Sequence, residues 1–296
     1  MTIGPADATL IAVAEPGPPT PSARRHRSVR ARVAADRRAW VGIACILAVV
    51  VIAFGGPLVT TFDAGDFAGP PYQRASPEFI LGLDALGRDV FSQVLAGGAL
   101  FLTEVVLATL LGVGLGTLLG ITLASSPRRI SEAMLTVNDT VLVMPQIVIA
   151  LLVLTRLGAT PVTLTLVIGF VHIPQTARVV MAATQRVVAQ DYVAAALGLG
   201  VRRIGLVVHE ILPNIAGVVS LELSIRLAIS AVVLASLSYL GFAASGVEWG
   251  RMIHDNQGGL AIQPWAVMAP VIVLGVFLIG ANLLRDAIAR ALATHA

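Results

Sequence analysis

Six long apolar stretches alternate with shorter polar ones along this chain. They predict an all-α protein whose helices cross a membrane about six times. The stretches fall at about 40–62, 98–125, 134–154, 157–177, 216–241 and 264–284. A bilayer core of ~30 Å needs about 20 apolar residues in a helix, and each stretch meets that length. In the second, the charge-free part runs from Val105 to Ser125, with Glu104 at its mouth. Gly112, Gly116 and Gly120 recur there at every fourth position. That spacing puts three glycines on one helix face, the small-residue pattern that lets membrane helices pack closely. A dinucleotide loop is the rival reading of Gly112 to Gly116, but the third glycine is not at the required spacing.

The third stretch carries Asp139 near its start and Pro145 inside. The fourth carries His172 and Pro174 near its end, and Arg178 closes it. The fifth contains Glu222 and Arg226, four residues apart and able to pair on one face. Charges inside a span are costly and usually face a protein interior or a watery cavity. These two, with Asp139, are therefore candidates for a translocation path or for pairing between helices.

Composition sharpens this picture. Hydrophobic residues make up 56% of the 296 and charged residues 12%, with mean hydropathy +0.87. A soluble domain carries roughly 25% charged residues, so this is an integral membrane protein. Residues 1–39 are Pro- and Arg-rich without apolar periodicity, which predicts a disordered tail. A short tail, 291–296, closes the chain. The arginine cluster before the first span could belong to a signal peptide or bind nucleic acid. The uninterrupted run that follows is longer than a signal core, and a topology anchor explains the cluster without a nucleic-acid partner.

The net charge of +3 says little, but its placement says more. All 20 basic residues are arginines. With the N-terminus inside and six spans, 15 of those 20 fall on the inner side. Only Arg74, Arg88, Arg156 and Arg251 fall outside, and Arg226 lies in a span. This bias predicts cytoplasmic N- and C-termini.

It also makes the hydrophilic break 185–213 cytoplasmic. There a small-sided helical piece, hinged at Gly198 and Gly200, precedes a second short helix headed by Arg202 and Arg203. Pro213 is expected to stop that helix before the fifth span. The segment reads as a foot shaped for a partner's groove.

The chain offers little chemistry of its own. His209-Glu210 begins like a zinc-protease helix, but Pro213 stands where the second histidine belongs. No phosphate-binding P-loop and no nucleophile elbow are present. The single cysteine, Cys45, lies in an apolar run. No catalytic residue, cofactor site or metal site is expected in this chain. A polar foot without local chemistry suggests energy supplied by another chain. The competing reading is a stand-alone transporter driven by an ion gradient, with Glu222, Glu104 and Asp139 as its acids. An intramembrane enzyme fails for want of a nucleophile–base pair.

The foot resembles the EAA-type coupling segment of ATP-binding-cassette (ABC) importer permeases. Ala194-Ala195-Ala196 stands for the triplet, Gly200 for the following glycine, and Leu212-Pro213-Asn214 for the end. Asp191-Tyr192-Val193 is similar to the lead-in of the dipeptide, oligopeptide and nickel subfamily. So are Leu81-Gly82-Leu83-Asp84 and Gly87-Arg88-Asp89-Val90, Asp139 with Pro145, and Ser236 to Gly241. Trp249-Gly250-Arg251-Met252, Pro264-Trp265, and Asn282 to Asp286 agree as well. The order resembles the C-type subunit and covers about 40–290. Three positions depart from the family pattern. Ala194 replaces a glutamate, Leu83 a threonine, and Leu234 a glutamate common in span five.

The resemblance implies a type I ABC importer permease fold in the cytoplasmic membrane of a bacterium. It implies a homologous second permease subunit, two ATPases that bind ATP and Mg, and an extracytoplasmic substrate-binding protein. Coupling would fall to Asp191, Tyr192, Ala194 to Ala196, Gly198, Gly200, Arg202, Arg203, Leu212 and Pro213. Asp84, Gly87, Arg88, Asp89, Trp249 and Gly250 would form the periplasmic signature. The cargo would be a di- or oligopeptide, or a related small solute, moved by alternating access.

Overall fold

The computed structural model describes residues 33–293 except 61, 199–200 and 245, with no side-chain detail at 128, 194–197 and 203. Gly200 and most of the N-terminal tail therefore lie outside the described residues. Within them the chain is helical, and its one β feature is an antiparallel bridge between Leu83 and Asp89.

Helix α1 (Arg37–Gly55) starts at Asp36, whose side chain accepts from Arg38 N. It ends where Gly56-Pro57 turn the chain. Asp89 caps the short α2 (Val90–Ala96) by accepting from Ser92 N. The long α3 (Gly98–Ser125) stops before Pro127. Next come α4 (Arg128–Val143) and α5 (Gln146–Leu157). Pro145 pushes Met144 into extended backbone (ψ 132°), because a residue before proline clashes in the α region. The two helices meet at 84°. The expected third span, 134–154, is thus a broken elbow and not one rod.

Gly158, at φ +80°, ends α5. Thr160 and Thr163 then form a capping box with Pro161 in the first turn of α6 (Pro161–Val188). That helix starts four residues later and ends eleven later than the expected 157–177. Two foot pieces follow, α7 (Asp191–Gly198) and α8 (Arg203–Leu206). A π turn (Val207–Ile211) then runs straight into α9 (Leu212–Tyr239). Pro213 therefore does not stop the chain. It sits directly after the π turn, and the helix continues through it as one span from Ile204 to Tyr239. The short α10 (Trp249–Asn256) and the long α11 (Trp265–Ala293) complete the fold.

Five helices among the described residues are long and apolar enough to cross a membrane, and six if the elbow counts as one. Glycine explains the tightest seam. Carbons placed on Gly112, Gly116 and Gly120 would stand 2.6 Å from His172 Cβ, 2.7 Å from Thr176 Cβ and 2.6 Å from Ala177 O. Helices α3 and α6 run in the same direction with their backbones nearly touching. A second close crossing joins α1 to α11, where a carbon on Gly42 would stand 2.8 Å from Gly280 O. Arg290 Nη2 closes that pair at one end, 2.8 Å from Asp36 Oδ2. One apolar core fills the bundle, and a smaller one under the foot gathers Ile121, Val180, Val193, Leu206, Ile211 and Ile215.

Candidate functional site

Three places hold the residues singled out by sequence. The first is the foot. Val193, Leu206 and Ile211 are buried against α3 and α6. Asn214 Nδ2 donates to Tyr192 Oη at 3.2 Å and to Glu210 O at 2.6 Å. The outer face is anchored but bare. Asp191, Tyr192, Gly198, Arg202, Leu212 and Pro213 are exposed. So are the apolar Val201, Val208 and Ile204, the last 79% exposed. The segment thus has a buried inner row, partly buried flanks that include Val187, Val188 and Val207, and an exposed outer row. Ala194 to Ala196 lie on α7, but their side chains are outside the described residues.

The second place is a polar seam inside the bundle. Glu222 Oε2 accepts from Arg226 Nε at 3.1 Å and from Thr176 Oγ1 at 3.2 Å. Arg226 Nη1 donates to Gln175 Oε1. One turn further along α9, Ser230 Oγ lies 2.9 Å from His172 Nε2 and accepts from Thr109 Oγ1 at 3.0 Å. Glu222 and Arg226 are both buried and bonded to this chain's own residues. Their geometry ties α6 to α9, the pairing reading. Asp139 is not with them. It meets Arg178 Nη1 at 3.1 Å on an exposed rim between α4 and α6.

The third place lies at the bundle end opposite the foot. Asp84 is fully buried and accepts from Leu86 N, Arg88 N, Arg88 Nε and Gln93 Nε2 at 2.8–2.9 Å. Gly87, at φ +71°, completes the turn. Asp89 takes Ser92 N and Oγ. Ala85 N donates to Asn256 Oδ1 at 2.9 Å, which joins this loop to α10. Trp249 is buried with Nε1 donating to Val94 O at 2.8 Å. Gly250 lets α10 lie against Ser238, whose Cβ a carbon there would meet at 2.5 Å. Asp84, Asp89 and Trp249 therefore build this end and do not display it.

Residues 112–295 match the family described as the binding-protein-dependent transport system inner membrane component. The chain belongs to that family. This permease is 26% identical over 251 residues to a glutathione transport system permease protein of Pectobacterium atrosepticum, with 83% of each chain covered. It is 26% identical over 261 residues to a dipeptide transport system permease protein of Alkalihalophilus pseudofirmus, covering 87% and 86%. A dipeptide permease of Haemophilus influenzae is 27% identical over 268 residues, covering 87% and 90%. This permease is thus a multi-pass inner-membrane component of an ABC importer and not its enzyme. Membership removes the ion-gradient reading that Glu222, Glu104 and Asp139 had left open.

Glu104, named from sequence at the mouth of a span and as a candidate acid, is 1% exposed, and so is Glu248, which the sequence did not single out. The available signal was position. Glu104 lies one helical turn from Phe101, on the face that packs against Trp249.

Proposed function

We propose that this permease subunit imports small peptides, or peptide-derived solutes, as half of a heterodimer driven by two cytoplasmic ATPases. One observation carries the reading: the segment 185–213 is fastened to the bundle by Val193, Leu206 and Ile211 while Tyr192, Val201, Ile204 and Val208 face outward. Exposed apolar side chains on an anchored base fit a groove on another protein. The base continues through the π turn into α9, so a push on the foot moves a whole span. ATP and Mg are bound by the ATPases. Closure of the ATPases then favours one of two arrangements of the spans.

The arginine bias supports a cytoplasmic foot with both termini on the same side. The Asp84–Asp89 loop and α10 then lie on the outer side, where a substrate-binding protein delivers cargo. The elbow between α4 and α5 frames an apolar groove of about 750 Å³ beside Phe170 and Pro174. That lining suits a second permease subunit better than a charged cargo. The peptide cargo is supported by relatives named for dipeptide and glutathione transport.

The test is co-purification after mild detergent extraction, with ATP hydrolysis and uptake of labelled dipeptide and glutathione measured on the same complex. Wild type is expected to bring down ATPase chains and to take up at least one labelled peptide. Ile204→Asp should lose the ATPases while keeping the second permease subunit. Retention of the ATPases by that variant would remove the foot from the coupling role. Uptake of neither peptide by a complex that hydrolyses ATP would overturn the cargo alone.

A further inference from the structure

Seven of the 20 arginines fall within residues 24–38, immediately before the first span. The last two, Arg37 and Arg38, open α1. The one acid in this stretch is Asp36, and it is already taken. Its Oδ2 accepts from Arg290 Nε at 3.2 Å and from Arg290 Nη2 at 2.8 Å. The seven arginines are therefore left without a compensating charge from their own segment.

The described end of the stretch stands on the outside of the bundle. The span that begins with α1 is the least covered of the five, with 22% of its apolar window buried against 39–50% in the others. Arg37, Trp40, Ala44, Leu47, Val51 and Phe54 are all exposed. At about 100° per residue, these six positions lie within one third of the helix circumference. One stripe thus carries a cation at its start, then an indole, then only apolar side chains. A helix face that passes from headgroups into acyl chains has this profile, because tryptophan gathers at the boundary. Trp40 Nε1 also donates to Ala34 O at 2.8 Å, so the chain enters α1 folded beside the indole. The arginine stretch therefore joins the helix at headgroup level. Arg38 is exposed as well, and no described side chain bonds either guanidinium.

We propose that the arginine stretch and the start of α1 form a binding surface for anionic phospholipid headgroups. A guanidinium meets a phosphate with paired, charge-assisted hydrogen bonds. A basic cluster beside a span is drawn to an anionic leaflet by about fivefold in partitioning for each arginine near the surface. Trp40 favours lipid over the acidic face of another protein, since the indole and the apolar stripe continue the cationic surface without a break. The proposed inward placement of the N-terminus decides only which leaflet supplies the lipid.

The experiment places the full chain in nanodiscs of equal parts phosphatidylcholine and phosphatidylglycerol, with one lipid or the other brominated to quench tryptophan. Trp249 is buried and Trp265 lies at the far end of α11 from Arg290, so the difference between wild type and W40F isolates Trp40. Brominated phosphatidylglycerol should quench Trp40 several-fold more effectively than brominated phosphatidylcholine, and molar salt should remove the preference. R37Q/R38Q should weaken it, and glutamine at all seven arginines should abolish it. R74Q/R156Q, which removes as much charge as R37Q/R38Q from elsewhere in the chain, should leave it intact. Equal quenching by the two lipids in wild type, a preference that survives molar salt, or one untouched by the seven substitutions would overturn the proposal. So would a wild type without preference whose R37Q/R38Q variant fails to bring down the ATPases, because the surface would then belong to those chains. The two leaflets of the disc are alike, so no outcome depends on which way the chain faces.

Discussion

Gly116→Ala tests the α3–α6 seam most directly. The added methyl would stand 2.7 Å from Thr176 Cβ, 2.9 Å from Thr176 Cγ2 and 3.0 Å from Ile173 O. Carbon atoms rest at about 3.5–4.0 Å, so the helices must separate by ~1 Å or Thr176 must move. Forcing an extra methyl into a filled interior costs about 1–3 kcal/mol. The same change gains about 0.5–1 kcal/mol of helix propensity, which hides part of the loss. Gly114 supplies the control, because nothing lies within 4 Å of a carbon placed there. Gly114→Ala keeps the propensity gain without the clash. The two variants should therefore differ by about 1–3 kcal/mol, which is roughly fivefold to a hundredfold in the unfolding equilibrium. Reversible unfolding in mixed micelles, followed by circular dichroism, measures that difference. Equal stability of the two variants would refute the claim that these backbones touch.

Other expectations follow from single contacts. Arg226→Ala leaves Glu222 buried without its cation and should destabilise by about 3–5 kcal/mol, whereas E222L/R226L should lose much less; the same micelle assay separates them. Gly87→Ala puts a side chain at φ +71° and against Gly69 O and Phe67. It should cost at least ~1–2 kcal/mol, the penalty for a left-handed residue, read as a lower thermal midpoint. The Arg290 bond holds the Asp36 carboxyl below its ordinary 3.8. The contribution of that contact is complete above this value and is lost as the pH falls through the lowered folded value. Asp36→Asn should remove the pH dependence of exchange at the start of α1 in that acid range.

The parts of the fold governed by local rules were readable in advance. The four-residue glycine spacing required a close helix partner, and the structure supplies α6. Glu222 and Arg226, four residues apart in one span, were open to two readings, a path or a pair, and in the structure they are bonded to each other. Proline was harder to read. Pro145 and Pro174 both lie in apolar runs, yet only Pro145 breaks the chain. Met144 yields to extended backbone there, while the Pro174 carbonyl remains within a helix and accepts from Asn138 Nδ2. Pro213 was expected to stop the helix, but the chain stays helical through it, directly after the π turn. The depth of Glu104 was hidden for another reason. It lies on α3, whose main packing partners, α6 and α9, are distant in sequence.

The π turn at Val207–Ile211 sets the phase between the foot and the span above it. Residues from Ile204 to Tyr239 form one helical span, some 54 Å long at about 1.5 Å per residue. A helix turns by about 100° per residue, so the one residue that the π turn adds decides which way the foot points. Deleting a residue there would leave every cap, span and charge in place and still swing the outer face of the foot roughly a quarter-turn around the shaft. The segment behaves as a key whose teeth are cut at one angle. Under the proposed function, chains driven by the same ATPases would have to keep that angle, whatever side chains they carry on the foot.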